Sequence, residues 1–266
     1  PTRYESSAAS DVYKRQRPVG KHKWRKAWRR SKLAKKALKS VDKCITIGAP
    51  IETRVAPKKA KRIYITDTEV NHLAHNLCKP TDIVIPTHFI DELSGKLLHK
   101  KAKIHRIDGL HGHVHLHPTL RPRTVSTPPK VMVRRLVGDG IHDSDEILEI
   151  PENWLEGLDV KYADENEVEG NPWDLITKIS SMDGVITQSV TLASESALLG
   201  VPCLLVTKAV RGFLQRLENE GYPLFIANKI DESILSSWLA GIHLTDVLEL
   251  PDWPNTRQQL LDLLKD

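Results

Sequence analysis

The chain has no run of 18 or more apolar residues, so no membrane-spanning helix is expected. Its first residues hold no apolar stretch of the secretory-signal kind, and no initiating methionine stands at position 1. Cysteine is scarce. Cys44, Cys78 and Cys203 share no CxxC spacing and lie in apolar surroundings, which argues against a disulfide framework and for reduced, structural thiols. A cytoplasmic location is the resulting expectation. Acidic residues are nearly missing from the first 40 positions, where 2 Asp/Glu face 14 Lys/Arg. The remaining residues hold 32 Asp/Glu against 25 Lys/Arg, so the formal net charge of +5 joins a basic end to an acidic body.

The basic end has two parts. PTRYESSAASDVYKRQ (1–16) carries no periodicity; it resembles translated adapter sequence and is set aside from fold reasoning. RPVGKHKWRKAWRRSKLAKKALKS (17–40) places Trp24, Trp28, Leu33, Ala34, Ala37 and Leu38 as an apolar stripe on a cationic helix. Such a helix has two readings. It is an electrostatic footprint for nucleic acid or an anionic membrane surface. Alternatively, it is the basic outer face of a helix docked on a sheet, its long stems covering apolar surface. Peripheral membrane contact is the partner expectation, ahead of nucleic acid. A non-catalytic protein that binds through this helix is the rival reading of the whole chain.

Downstream, short apolar runs alternate with helical patterns. KCITIGAP (43–50), RIYITDTE (62–69), DIVIPTHF (82–89) and the start of KIHRIDGLHGHVHLHP (103–118) read as strands. VNHLAHNLCKP (70–80) reads as a helix stopped by Pro80, and ELSGKLLHKKAK (92–103) as a short basic helix. Residues 118–130 carry four prolines and read as an extended linker. Beyond it, KVMVRR, LDVKY, GVIT, CLLV and PLFIAN predict five more strands, separated by helices and closed by ESILSSWLAGI and TRQQLLDLLKD. The alternation predicts an α/β protein of two Rossmann-like domains with parallel sheets, over 17–117 and 131–266.

TQSVTLASESALLGVP (187–202) carries the strongest chemical signal. It reads as a polar turn and a helix between two buried strands, a βαβ crossover. In such sheets ligands bind beyond the carboxyl ends of strands, where Gln188, Ser189 and Thr191 fall. Ser189 and Thr191 either cap the helix or donate to a bound phosphate. MVRRLVGDGIHDSDE (132–146) sets Arg135 at a strand end and His142 in the turn beyond; an arginine there pairs with phosphate, or the segment is a plain surface turn. TDTE (66–69) sets Asp67 and Glu69 after a strand, as a general base for an acceptor hydroxyl or as helix caps. HGHVHLHP (111–118), taken as extended, aligns His111, His113, His115 and His117 on one face at roughly 6.6 Å intervals. That row lacks a four-ligand zinc spacing, so no metal site and no cofactor is expected, and the histidines are placed along a polar cleft.

TDTEVNHLAHNLCKPTDIVIP, GLHGHVHLHPTLRP, MVRRLVGDGIHDSD and MDGVITQSVTLASESALLGVP, in that order, resemble the successive motifs of domain-of-unknown-function family 354. That family is similar to glycosyltransferases of the GT-B fold and to UDP-N-acetylglucosamine 2-epimerase. The resemblance runs from about residue 20 to the C-terminus. It implies a nucleotide-sugar donor and an acceptor, with Ser189 and Thr191 at the diphosphate and Glu195 accepting hydrogen bonds from ribose hydroxyls. It also implies that His142 contacts the sugar or the leaving diphosphate. Two departures stand out. The strand, Gly-rich turn and helix that open GT-B domains have no counterpart upstream of Arg17, so a truncated N-terminal domain and an inactive fragment are expected. Ser189-Val190-Thr191 replaces the Gly-Gly-Thr common in relatives, and Val190 limits how closely backbone can approach a phosphate.

Overall fold

The computed structural model describes residues 23–109, 111–116, 124–136, 147–163, 174–244 and 252–265. They form two compact units that are not continuous stretches of chain. Among the described residues, the first runs to Thr66 and adds His72–Val84 and Ser94–His105. The second takes Asp67–Asn71, Ile85–Leu93 and the chain from Arg106 onward. The architecture is Rossmann-like α/β, with sheets of four and five strands. No helix among the described residues is long and apolar enough to cross a membrane.

The four-stranded sheet has the order β1 (Lys43–Ile47), β2 (Lys61–Ile65), β3 (Asp82–Pro86), β4 (Lys103–Ile107), and its β1/β2 and β2/β3 pairs are parallel. β3 is buried at every position, as a strand covered on both faces should be. β1 ends the sheet order and leaves Ile45 and Ile47 exposed. The cationic helix is present as α1 (Lys23–Ala37). Its inward face matches the expected stripe only in part: Ala34 and Leu38 are half-buried, but Trp28 and Leu33 are 59% and 70% exposed, and Ala27, Arg30 and Ser31 are half-buried with them. Arg30 Nε donates to Glu52 at 2.6 Å. Glu52 belongs to α2 (Pro50–Val55), a short helix that the strand pattern over 43–50 did not foretell, although a proline at a first helical position is a recognised start signal. α3 (His72–Leu77) stands where the helix before Pro80 was expected. The helix expected over 92–103 does not form. Only a 3₁₀ turn spans Asp91–Ser94, and Gly95 follows in the left-handed region (φ +60°), which ends it.

The five-stranded sheet is parallel throughout, in the order β6 (Asp159–Tyr162), β5 (Lys130–Arg134), β7 (Gly184–Thr187), β8 (Cys203–Val206), β9 (Leu224–Ala227). Alternate residues of each strand feed opposite faces. Met132, Val185, Cys203 and Leu205 join one apolar cluster. It also takes Leu116 and residues of three helices, α5 (Asp174–Ser180), α6 (Val190–Leu198) and α7 (Gly212–Asn219). Val131, Val133, Ile186, Leu204 and Val206 join the other cluster. There Trp154 and Leu155 pack with Leu235, Trp238 and Ile242 of α8 (Glu232–His243). Each large apolar side chain so buried contributes about 1.5–3 kcal/mol, against roughly 0–1 kcal/mol for an exposed ion pair, so these two layers hold the unit together. A last helix, α9 (Thr256–Lys265), closes the chain, Thr256 Oγ1 donating to the Asp108 carbonyl at 2.8 Å.

Candidate functional site

In the second sheet the strand order turns at β5 and β7. From β5 the chain continues to its neighbour β6, while from β7 it proceeds the other way through β8 to β9. The two carboxyl ends that lie side by side therefore launch connections in opposite directions, the arrangement at which open α/β sheets generally bind their ligands. Arg134 pairs with Thr187 across that end. Arg135 and Leu136 follow on one side, and Gln188, Ser189 and the first turn of α6 follow on the other.

Several side chains build this end. Gln188 is buried and bonded through both of its groups: Oε1 accepts from the Leu136 N–H at 2.8 Å, and Nε2 donates to the Leu148 carbonyl at 2.6 Å. It therefore ties the two connections together. Thr187 Oγ1 donates to the Arg134 carbonyl at 3.1 Å and accepts from the Ser189 N–H at 3.0 Å. Ser189 is the N-cap of α6, its hydroxyl accepting from the Leu192 N–H at 3.4 Å. The cap satisfies one donor of a turn whose N–H groups carry about half a positive charge. Thr191 is exposed on that first turn. Arg135 pairs with Glu152 at 2.6 Å and lies 5.5 Å from the Tyr162 ring centre. Both ends of that pair are well exposed, so it is weak and open to exchange. His142 lies outside the described residues.

Glu195 is half-buried on α6. Against it packs α4 (His111–His115), formed by the histidine run that was expected to be extended. A helix brings positions four apart to one face, whereas a strand would have aligned alternate positions. His111 and His115 are consequently neighbours, ring centres 4.7 Å apart, and His113 turns away. Gly112 sets how close α4 comes, since a Cβ there would lie 2.4 Å from Leu198 Cδ1 of α6. His115 Nε2 is 3.5 Å from Glu195 Oε1, and His115 Nδ1 is 3.1 Å from the His111 carbonyl oxygen. One ligand atom from each of His111, His115 and Glu195 lies within 4.8 Å of the other two. His113 is buried, 3.4 Å from the Tyr222 hydroxyl and edge-on to Trp253, whose indole N–H donates to the His113 carbonyl. Burial, with the Arg216 charge adding to it, lowers its pKa to about 4.

Asp67 and Glu69 are not equivalent. Asp67 is half-buried and accepts from the Thr68 hydroxyl at 3.3 Å. Glu69 is fully buried, its Oε1 accepting from the N–H groups of Gly212 (2.9 Å) and Ile90 (3.2 Å). It thus supplies the N-terminus of α7 with the acceptor that Arg211, at the cap position, does not. Burial raises its pKa, opposed by those two N–H bonds and by Arg211. Gly212 is required there, because a Cβ would meet the His88 carbonyl oxygen at 1.8 Å.

Sequence reasoning missed a second polar group in this unit. Arg216 Nη1 donates to Asp108 at 2.6 Å and approaches His88 Nδ1 at 3.5 Å, and Arg216 Nε bonds Glu220 at 2.8 Å. Burial, then the Arg216 charge, lowers the His88 pKa to about 4. The Arg216–Glu220 pair, four residues apart on a helix, was legible. The partners more than a hundred positions away were not. Compared with known protein families the chain matches none, and no curated protein matches it.

Proposed function

We propose that this is a nucleotide-sugar-dependent, glycosyltransferase-like protein of GT-B type, with sugar epimerisation as its close variant. One observation carries the reading: the N-terminus of a nine-residue helix, α6, opens at the point where the order of a parallel sheet reverses. An anion bound there meets the N–H groups of the first turn and the positive end of the helix. In this reading the Ser189 and Thr191 hydroxyls add donors to a diphosphate, and Gln188 holds the β5 and β7 connections at their spacing. Arg135 leaves its exposed pair with Glu152 to bind the same phosphates. Charge that develops on the departing diphosphate is stabilised by donors already in place. Glu195, one turn along, accepts from ribose hydroxyls. Asp67, the more accessible of the two N-terminal carboxylates, is the better placed of them to take an acceptor's proton.

Calorimetry with uridine, guanosine, cytidine and thymidine diphosphates and their sugars tests this. One nucleotide family should bind. Glu195→Ala should weaken it by ~1.5–3 kcal/mol, the value of a hydrogen bond to a charged group. Asp67→Asn should leave binding intact while suppressing any turnover. Absence of binding across the panel, or binding indifferent to Glu195→Ala, removes the reading.

A further inference from the structure

The histidine run and Glu195 meet in a way that nucleotide binding does not require. Gly112 of α4 lies against Leu198 of α6, and Leu116, just beyond α4, joins the same core cluster as α6, while His111 is exposed and His115 is half-buried beside Glu195. The spacing His-x₃-His on one helical face is the arrangement with which a helix offers two imidazoles to one ion. A carboxylate from a second helix completes a three-ligand set of two nitrogens and one oxygen.

We propose that His111, His115 and Glu195 form a binding site for a divalent transition-metal ion, zinc being the best-suited class. Three observations converge. The three donor atoms already lie within 4.8 Å of one another. Bonds of about 2.0–2.1 Å around a tetrahedral zinc need donors roughly 3.3–3.5 Å apart, so only small side-chain rotations separate this arrangement from a coordinated one. His115 Nε2 and Glu195 Oε1 already stand at 3.5 Å. The His111 carbonyl oxygen is placed to accept a hydrogen bond from the His115 Nδ1–H at 3.1 Å. That bond fixes the tautomer in which Nε2 carries the lone pair, the outer-shell support that metal-binding imidazoles generally have. The donor set selects against calcium and magnesium, which take mainly oxygen ligands, and favours zinc, cobalt or nickel. Three protein ligands leave a coordination position for an outside oxygen, from water, a hydroxyl or a phosphoryl group.

The test uses the full 266-residue chain without an affinity tag, stripped of metal with a chelator. It is titrated with Co²⁺, followed by visible absorption, and with Zn²⁺ in competition with a chromophoric chelator. One ion should bind per chain, with the intense visible band of a four- or five-coordinate cobalt site. His111→Ala, His115→Ala and Glu195→Gln should each weaken binding by about 10- to 100-fold, while His99→Ala, an exposed histidine of the other unit, should not. Glu195→Gln preserves the side chain's volume, and far-UV circular dichroism confirms that each variant is folded. No stoichiometric binding, or binding that survives both His115→Ala and Glu195→Gln, overturns the proposal. It does not rest on the nucleotide reading. Repeating the nucleotide titrations with His111→Ala in the presence of chelator separates the two, since that variant lacks the ion and retains Glu195.

Discussion

Two histidines in the second unit are kept neutral by their surroundings, and this has a consequence for acid stability. His88 and His113 have pKa values lowered to about 4, through burial first and the Arg216 charge second. In the unfolded chain each takes a proton near pH 6.5. The folded state therefore binds fewer protons between about pH 6.5 and 4, and its stability, full above 6.5, is lost as pH falls through that window. Each pH unit crossed there removes up to about 1.4 kcal/mol per histidine, so the loss reaches on the order of 2 kcal/mol for each by pH 4.5. Thermal melts from pH 7.5 to 4.5 should show it. His113→Phe, which keeps an aromatic ring beside Trp253, should flatten the decline. A variant that falls as steeply as the parent would place the acid sensitivity elsewhere. That histidines occupy these positions was visible in the sequence, but their neutrality was not, since Arg216 stands over a hundred positions from both.

At the level of elements, strands were the legible part. Each of the nine strands among the described residues overlaps a segment read as a strand, most plainly β3, β7 and β8, which are buried at every position, because a strand covered on both faces needs a local apolar run. α4 shows the limit. Alternating histidines suit an extended chain as far as local pattern goes, and what decides for a helix is the fit against α6. There Gly112 admits Leu198, and Leu116 reaches the core. Gly112→Val tests that fit. It removes a flexible glycine from a helix, a gain of a few tenths of a kcal/mol, but sets a branched side chain against the fully buried Leu198. Overpacking of about 1–3 kcal/mol should win, lowering the urea midpoint. An unchanged midpoint would mean that α4 is loosely seated, and the His111–His115–Glu195 arrangement would lose its support.

For the molecule as a whole, the expected boundary across residues 118–130 and the observed units differ in one instructive respect. Asp67–Asn71, Ile85–Leu93 and the described chain from Arg106 belong with the second unit, although all of them begin before the expected boundary. They bring the carboxylate that caps α7 and the His88 backbone that packs on Gly212. A polypeptide of residues 124–266 retains all five strands of the second sheet but lacks Glu69, His88 and α4. We expect it to unfold at a lower urea concentration than the same unit within the full chain, with the buried Trp154 and Trp238 as fluorescence reporters. Loss of the Glu69 acceptor alone should cost about 1–3 kcal/mol. Equal midpoints would show that the discontinuous segments add nothing.

The sequence by itself determined the class: an α/β chain whose apolar runs and polar turns recur too regularly for another architecture, with a basic end and a hydroxyl-rich turn before a capped helix. Local chemistry was enough, since strand burial, capping and turn formation are decided within a few residues. Tertiary structure decided the rest. Only the sheet order shows that β5 and β7 end side by side, because pairing between strands separated by β6 is a non-local choice. Only packing shows that Gln188 bonds the backbone of a distant connection, that Glu69 is buried against a helix N-terminus, and that two histidines of an apparent strand share one helical face, which lies beside Glu195. Each depends on partners more than 20 residues away, and such partners become neighbours only when the core closes.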